Sequence, residues 1–357
     1  MREWVIILAR TRSPMTTTNI SIISEHFAHV KDPRINRTRE HPLINIIVIA
    51  ICGVLCGADS WVEIEQFGEA KQVWLGGFLD LSNGIPSHDT FGRVFARIDP
   101  EQFQAGFFSW VQTLSDLSEG EIVALDGKQL RGSHDRGLGK RAITMVSAWA
   151  VSNHLVLGQR KVDAKSNEIT AIPKLLEMLD LAGCVVTIDA MGCQKDVATE
   201  IVDQGADYVL ALKGNQGKLY EDTAHFFAQS SQNTFEGVDY HKTVDGDHGR
   251  IEIRECWTID PRQWPEHFRT LADWKELRTI ALVRAERRLN GKITREKRFY
   301  ISCRESDAKF MLRTTRGHWG IENSLHWVLD VAFHEDHSRI RNGNAPQNIA
   351  VLRHMAV

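Results

Sequence analysis

Three acidic residues stand where a metal-dependent attack on a phosphodiester would need them. Asp126 closes the apolar run Ile122-Val123-Ala124-Leu125 and Asp189 closes a second, Val185-Val186-Thr187-Ile188. Glu322 lies in the helix-like stretch from His318 to Trp327. Breaking a phosphodiester takes an activated water or hydroxyl, neutralised phosphate charge and a stabilised leaving oxygen. Two divalent ions about 3.5–4 Å apart meet all three needs. Mg²⁺ binds a few carboxylates and keeps several waters, so three acids suffice, with Mn²⁺ as a substitute. One aspartate would bridge both ions while the other two carboxylates each hold one. A lone strand-end aspartate is more often a turn or cap residue; two of them in the strand order below, with the glutamate, favour a metal site.

The elements that must position these residues follow from periodicity. From about Asn19 to Ser118 the pattern is helical. Leu43 to Ala58 reads as a buried helix opened by Pro42. Trp61, Ile64, Phe67 and Trp74 then recur at near-helical spacing. Ser87 is a candidate N-cap, and Pro100 opens a segment carrying Phe103, Phe107, Trp110, Val111 and Leu114. These aromatics are expected in the core of an all-helical N-terminal domain over 19–118. The pattern then changes to strands at Ile122–Asp126, Ala142–Ala150 and His154–Val162, the last two forming a hairpin around Ser152-Asn153. A helix follows over Glu168–Leu181, a strand over Cys184–Asp189 and a helix over Gln194–Gln204. A strand at Tyr208–Leu212 and a helix at Gly217–Gln229 complete the series.

The order β-β-β-α-β-α-β-α predicts an α/β fold with a ribonuclease H-like catalytic core over 119–357, in which the strands ending in Asp126 and Asp189 lie side by side. The gap from Asp189 to Glu322 is about twice that from Asp126 to Asp189, too long for one crossover. It implies a β-rich insertion at about 235–303, with strands at Arg250–Ile259, Leu277–Glu286 and Lys297–Ile301. A last helix is expected over Lys309–Val331, with His318, Glu322, His326 and Asp330 on one face.

Composition narrows the classes. The 357 residues, 43% hydrophobic and 25% charged, suit a globular protein of roughly two domains. Leu43–Ala58 falls short of the ~20 residues that span a bilayer. Met1–Arg12 lacks a signal-peptide cleavage site. Met15 is an alternative start, which makes 1–18 an expected unstructured extension. The six scattered cysteines include no CxxC pair, which argues against a zinc ribbon and fits a reducing cytoplasm. Cys52 and Cys56 read as core residues rather than a metal pair, and His334-Glu335-Asp336-His337 lacks the HExxH spacing.

A net charge of −3 gives no global support for nucleic acid, so a DNA surface must be local. Lys128 and Arg131, with Arg136, Lys140 and Arg141, follow Asp126. Arg284, Arg287, Arg288, Lys292, Arg295, Lys297 and Arg298 crowd the insertion, and Arg250 is placed in the same nucleic-acid-binding set. Lys213 and Asn215 follow a strand end, and His318 and His326 flank Glu322; all four are candidate DNA contacts.

At these residues the sequence resembles the DDE insertion-sequence transposases, in the branch that includes the H-repeat-associated proteins. The matching stretches are ALDGKQLRGS, KSNEITAIPKLLEMLD, TIDAMGCQKD, YVLALKGNQG, DHGRIEIR and HWGIENSLHWVLDVAFHED, and GIPSHDTFGRV matches in the helical region. The resemblance implies a Mg²⁺-dependent cut-and-paste recombinase with Asp126, Asp189 and Glu322 as catalytic triad. It also implies double-stranded DNA as partner, both the element's terminal inverted repeats and target DNA, and a homodimer on that DNA. No membrane and no small-molecule substrate is expected. The wider group often carries a tyrosine and an arginine before the glutamate and a lysine after it; here Thr315, His318 and Leu329 stand there. Relatives of this kind generally continue with a further basic stretch, which makes an inactive remnant that binds DNA without cutting one alternative; a general metal-dependent nuclease using the same fold is another.

Overall fold

A computed structural model describes residues 23–357 except 116, 136, 138, 164–166, 230–236 and 248. The expected extension over 1–18, the alternative start and Arg136 lie outside the described residues. The chain forms two compact units, neither of them one continuous stretch. The first gathers the residues up to Ser115 with Leu130–Ile143 and Val328–Val357; the second gathers Asp116–Gln129 with Thr144–Trp327.

The first unit is helical: α1 (Leu43–Leu55), α2 (Trp61–Ala70), α3 (Gln72–Leu75), α4 (His88–Phe95) and α5 (Pro100–Leu114). Asn45 through Val54 of α1 are buried, as a helix apolar on every face must be. Asp99 caps α5 by accepting from the Glu101 and Gln102 amides, with Pro100 in the first turn where its missing N–H costs nothing. Phe91, Phe95, Phe103 and Phe107 are buried, whereas Trp74 is 41% exposed. Arg131 and Arg341 tie the later segments together, Arg131 through Asp336 and Arg341 through the Gly132 carbonyl.

The second unit carries one nine-stranded sheet. Its strands are β1 (Ile122–Gln129), β2 (Thr144–Ala150), β3 (Leu155–Lys161), β4 (Val185–Ile188), β5 (Asp207–Leu212), β6 (Asp239–Asp247), β7 (Arg250–Ile259), β8 (Thr279–Leu289) and β9 (Lys292–Ser302). Between them run α6 (Glu168–Leu176), α7 (Lys195–Asp203) and α8 (Gly217–Gln229). The strand order is β3-β2-β1-β4-β5-β9-β8-β7-β6. β1, β4 and β5 are mutually parallel, and the remaining neighbours are antiparallel. Buried Glu121 holds the β2–β3 turn by accepting from the Ser152 amide and the Asn153 side chain.

Three expectations change. β1 does not stop at Asp126; it runs to Gln129 because β2 still pairs with it there, Lys128 opposite Met145. The β-rich stretch does not stand apart from the core: β9 adds to the free edge of β5, so all nine strands share one sheet. The single helix over Lys309–Val331 is three pieces, α9 (Ala308–His318), a π-helical turn (Ile321–His326) and α10 (Trp327–Val331). α9 packs Ala308, Met311 and Leu312 onto Val185, Val209 and Tyr300 of the sheet. A final helix, α11 (Ala345–His354), belongs to the helical unit, where Asn348 donates to the Phe95 and Ile98 carbonyls. Among the described residues no helix is long and apolar enough to cross a membrane. All six cysteines are free, and only Cys56 is exposed.

Candidate active site

Strand register sets the two aspartates side by side. In the parallel ladder Leu125 pairs with Ile188, so the next residue on each chain is an aspartate, Asp126 and Asp189. The residues before them, Ile122–Leu125 and Val185–Ile188, are buried throughout, which fixes both strands firmly. Asp126 accepts from the following amide, Gly127 N–H, at 2.8 Å. Its carboxyl is pushed up to about 7, chiefly by burial, further by the charges of Glu322, Asp189 and Glu168, and against the pull of the Gly127 amide. Asp189 Oδ1 accepts from the Met191 and Gly192 amides at 3.0 and 3.3 Å, closing the turn that leads to α7. Only glycine fits at position 192, because a Cβ there would lie 2.3 Å from Ile188 Cγ2 and 2.7 Å from Ile172 Cδ1.

The π-helical turn supplies the third carboxylate and an imidazole. Glu322 Oε2 lies 3.3 Å from His326 Nδ1, and that nitrogen lies 3.6 Å from Asp126 Oδ2. Asp126, Glu322 and His326 offer ligand atoms all within 4.8 Å of one another. Asp189 is outside that set but near enough for its charge to raise Asp126 and Glu168. The oxygen-rich donor set suits a hard divalent cation, and a cation would offset both the burial and the neighbouring like charges that raise the Asp126 pKa. The residues therefore fit a metal.

Other anticipated contacts fall in different places. His318 is half-buried, its Nδ1 3.0 Å from Thr187 Oγ1 just before Asp189, and burial draws its pKa down against the charge of Asp189. The His326 side chain is only 7% exposed. Asn215 donates to the Ala190 carbonyl and Gln216 to that of Cys193, so this loop braces the turn after Asp189. Lys213 beside it is exposed. Lys128 lies two residues beyond Asp126 on β1 and hence on the same face. Arg131 belongs to the helical unit, exposed and 3.5 Å from Asp336.

Arg250 lines a groove of about 630 Å³ between β7–β9 and the segment bearing Glu322. Arg254, Arg287, Arg298 and Arg316 line it too, with Glu252 and Glu296 partly offsetting them. Arg298 stacks over Trp319 at 4.4 Å. Arg288 is not in the groove: strand alternation sends it to the opposite face, where it pairs with Glu286.

One group escaped the sequence reading. Glu168, in the first turn of α6, stands there only as the first residue of the helix expected over Glu168–Leu181. Its carboxylate lies against Gly127, where a Cβ would come within 2.2 Å of Oε1, and burial and Asp189 both push its pKa up. The glycine directly after Asp126 was the available signal.

Residues 117–357 match the family model described as the transposase DDE domain, and residues 24–111 match that of its associated domain. The chain belongs to the DDE transposase family. It is 43% identical over 342 residues to "Putative transposase YncI" of Escherichia coli O157:H7, covering 95% of this chain and 87% of that protein. It is 39% identical over 339 residues to "H repeat-associated putative transposase YhhI" of Escherichia coli strain K12, covering 94% of this chain and 89% of that one. A shorter K12 relative, "Inactive transposase YbfQ", matches 75 residues at 39% identity, 21% of this chain and 89% of its own length. At the positions where wider transposases carry tyrosine and lysine, this one has buried Thr315, bonded to the Leu312 carbonyl, and buried Leu329.

Proposed function

We propose that this transposase cuts DNA at the ends of an insertion sequence and joins the freed ends to other DNA, with Asp126, Asp189 and Glu322 as catalytic metal ligands. The observation that carries the reading is convergence: strands β1 and β4 and the π-helical turn, distant in sequence, bring acidic groups into one electrostatic neighbourhood. The order β3-β2-β1-β4-β5, with β1, β4 and β5 parallel, supports a ribonuclease H-like core. On this reading residues 119–357 are catalytic, with the insertion at about 235–303, and the helices of 19–118 grip the DNA ends.

When bound, two Mg²⁺ ions, or Mn²⁺ in their place, activate the attacking oxygen and offset phosphate charge. The side chains do the rest. Asp126 would hold a cation in its ionised form, and burial with its acidic neighbours raises its pKa to about 7. Asp189, pinned by two amides, keeps one orientation. Lys128, on the face of Asp126, and exposed Lys213 contact phosphates, and the arginines of the groove track the strand. Water attacks first and the freed 3′-hydroxyl second. The partners are terminal inverted repeats and target DNA, met in the cytoplasm by a homodimer.

Purified protein incubated with Mg²⁺ and DNA carrying the flanking inverted repeats tests this. Cleavage at the repeat ends is expected. Binding without cleavage would assign the chain to the inactive remnants, and nicking at every sequence would make it a general nuclease.

A further inference from the structure

We propose that His326 binds a divalent cation through Nδ1, which makes one of the two cation positions a mixed carboxylate–imidazole site and leaves the other to carboxylates. The inference rests on the metal-dependent reading above and goes beyond the three acids.

Geometry is the first argument. Nδ1 lies 3.3 Å from Glu322 Oε2 and 3.6 Å from Asp126 Oδ2. Neighbouring ligands on a six-coordinate ion with bonds of ~2.0–2.1 Å sit ~3 Å apart, so a small contraction brings Nδ1 to ligand spacing from each carboxylate, and all three donor atoms already lie within 4.8 Å of one another. The local fold is the second argument. Glu322 and His326 are the second and last residues of a π-helical turn, a rare distortion that recurs at functional sites. Within it both side chains face β1, while the flanking Trp319 and Trp327 are 41% and 53% exposed. Burial is the third. A side chain only 7% exposed makes a poor phosphate contact, yet its Nδ1 is aimed between two carboxylates. His318 is not equivalent, because its own Nδ1 meets Thr187 Oγ1.

The two positions then differ in kind. Asp189, whose Oδ1 is already occupied by two amides, serves the oxygen-only position with Asp126. The position made by Asp126, Glu322 and His326 carries one nitrogen. Imidazole suits Zn²⁺, Fe²⁺ and Ni²⁺, whereas carboxylate and water suit Mg²⁺, Ca²⁺ and Mn²⁺, so that position discriminates among cations more sharply than its neighbour.

Pulsed electron paramagnetic resonance on the full chain loaded with Mn²⁺, without DNA, reads nitrogen coordination directly. Wild-type protein is expected to show ¹⁴N modulation from one imidazole. His326→Gln should lose the modulation and weaken Mn²⁺ binding by at least about 10-fold, while His318→Gln keeps both. If His326→Gln does not fold, the wild-type and His318→Gln spectra still decide. Tight Mn²⁺ binding without nitrogen modulation, or modulation that survives in His326→Gln, overturns the imidazole ligand and leaves the carboxylate site standing. No Mn²⁺ binding, or binding undiminished in Asp126→Asn, overturns both.

Discussion

The two halves of the nine-stranded sheet are built on opposite plans. At β1 and β4, four consecutive residues on each strand are buried, all apolar but Thr187, and one aspartate follows. At β8 and β9 only the inner halves, Thr279–Val283 and Phe299–Ser302, are buried; the outer halves form an exposed ribbon of charges. Parallel strands covered on both faces have one rigid solution, which suits groups that must hold a position to a fraction of an ångström. An antiparallel ribbon divides its side chains between two faces. Arg287, Glu296 and Arg298 look into the groove, while Arg288 and Arg295 share Glu286 on the other side. On the proposed reading the first half holds the chemistry and the second a long polyanion.

The largest expected effect breaks the buried half. Asp126→Asn removes an ionic ligand but almost no volume, on a strand fixed by β2 and β4. DNA cleavage should fall by at least about 10³-fold, with DNA affinity changed less than threefold. Cleavage assays and fluorescence anisotropy on the same substrate separate the two. Comparable losses in both would show that Asp126 holds DNA or the fold rather than the reaction.

The same contrast explains what could be read in advance. The buried half was legible because apolar runs ending in aspartate permit few arrangements, and the alternation of strands and helices set their order. The ribbon was harder. β6 went unread because Asp239–Asp247 is polar on both faces, with Tyr240 and Val244 exposed. The basic cluster at 284–298 looked like one patch because sequence position does not show that alternate residues face opposite ways. A π-helical turn has no apolar period of its own, so Ile321–His326 was taken as plain helix. That masked how directly His326 points at Asp126. Glu168 was missed because its proximity to Asp126 depends on Gly127, a contact made across the fold.

A second effect sharpens the buried half through pH. In the unfolded chain the Asp126 carboxyl titrates near the ordinary value of 3.8; in the folded protein it is pushed up to about 7 by burial and neighbouring acids. A folded value above the unfolded one means that ionisation opposes folding. Metal-free stability should therefore be level below pH 4, decline between pH 4 and 7 and level off above. Three units amount to about 4 kcal/mol at most. Urea unfolding in a chelator at pH 5, 6, 7 and 8 should show this decline in the wild type and a shallower one in Asp126→Asn, where the raised Glu168 still contributes. Saturating Mn²⁺, which selects the ionised form, should reverse the trend. Parallel profiles for the two proteins would place the Asp126 proton elsewhere in the pH range.

The smallest effect probes the ribbon. Arg298 lines the groove, pairs with Glu296 at 2.9 Å and lies over Trp319, three residues before Glu322. Replacing it with alanine removes one cation and a stacking contact worth ~0.5–1 kcal/mol. If a phosphate sits there, the slope of log affinity against log salt should become shallower by about 1. Affinity should drop only a few-fold, alike for every sequence. Arg288→Ala, on the opposite face, should leave the slope unchanged. Equal changes in the two variants would mean that the exposed ribbon attracts DNA by its overall charge and that the groove has no privileged path. A change confined to Arg298 would show that strand alternation chooses which arginines meet DNA.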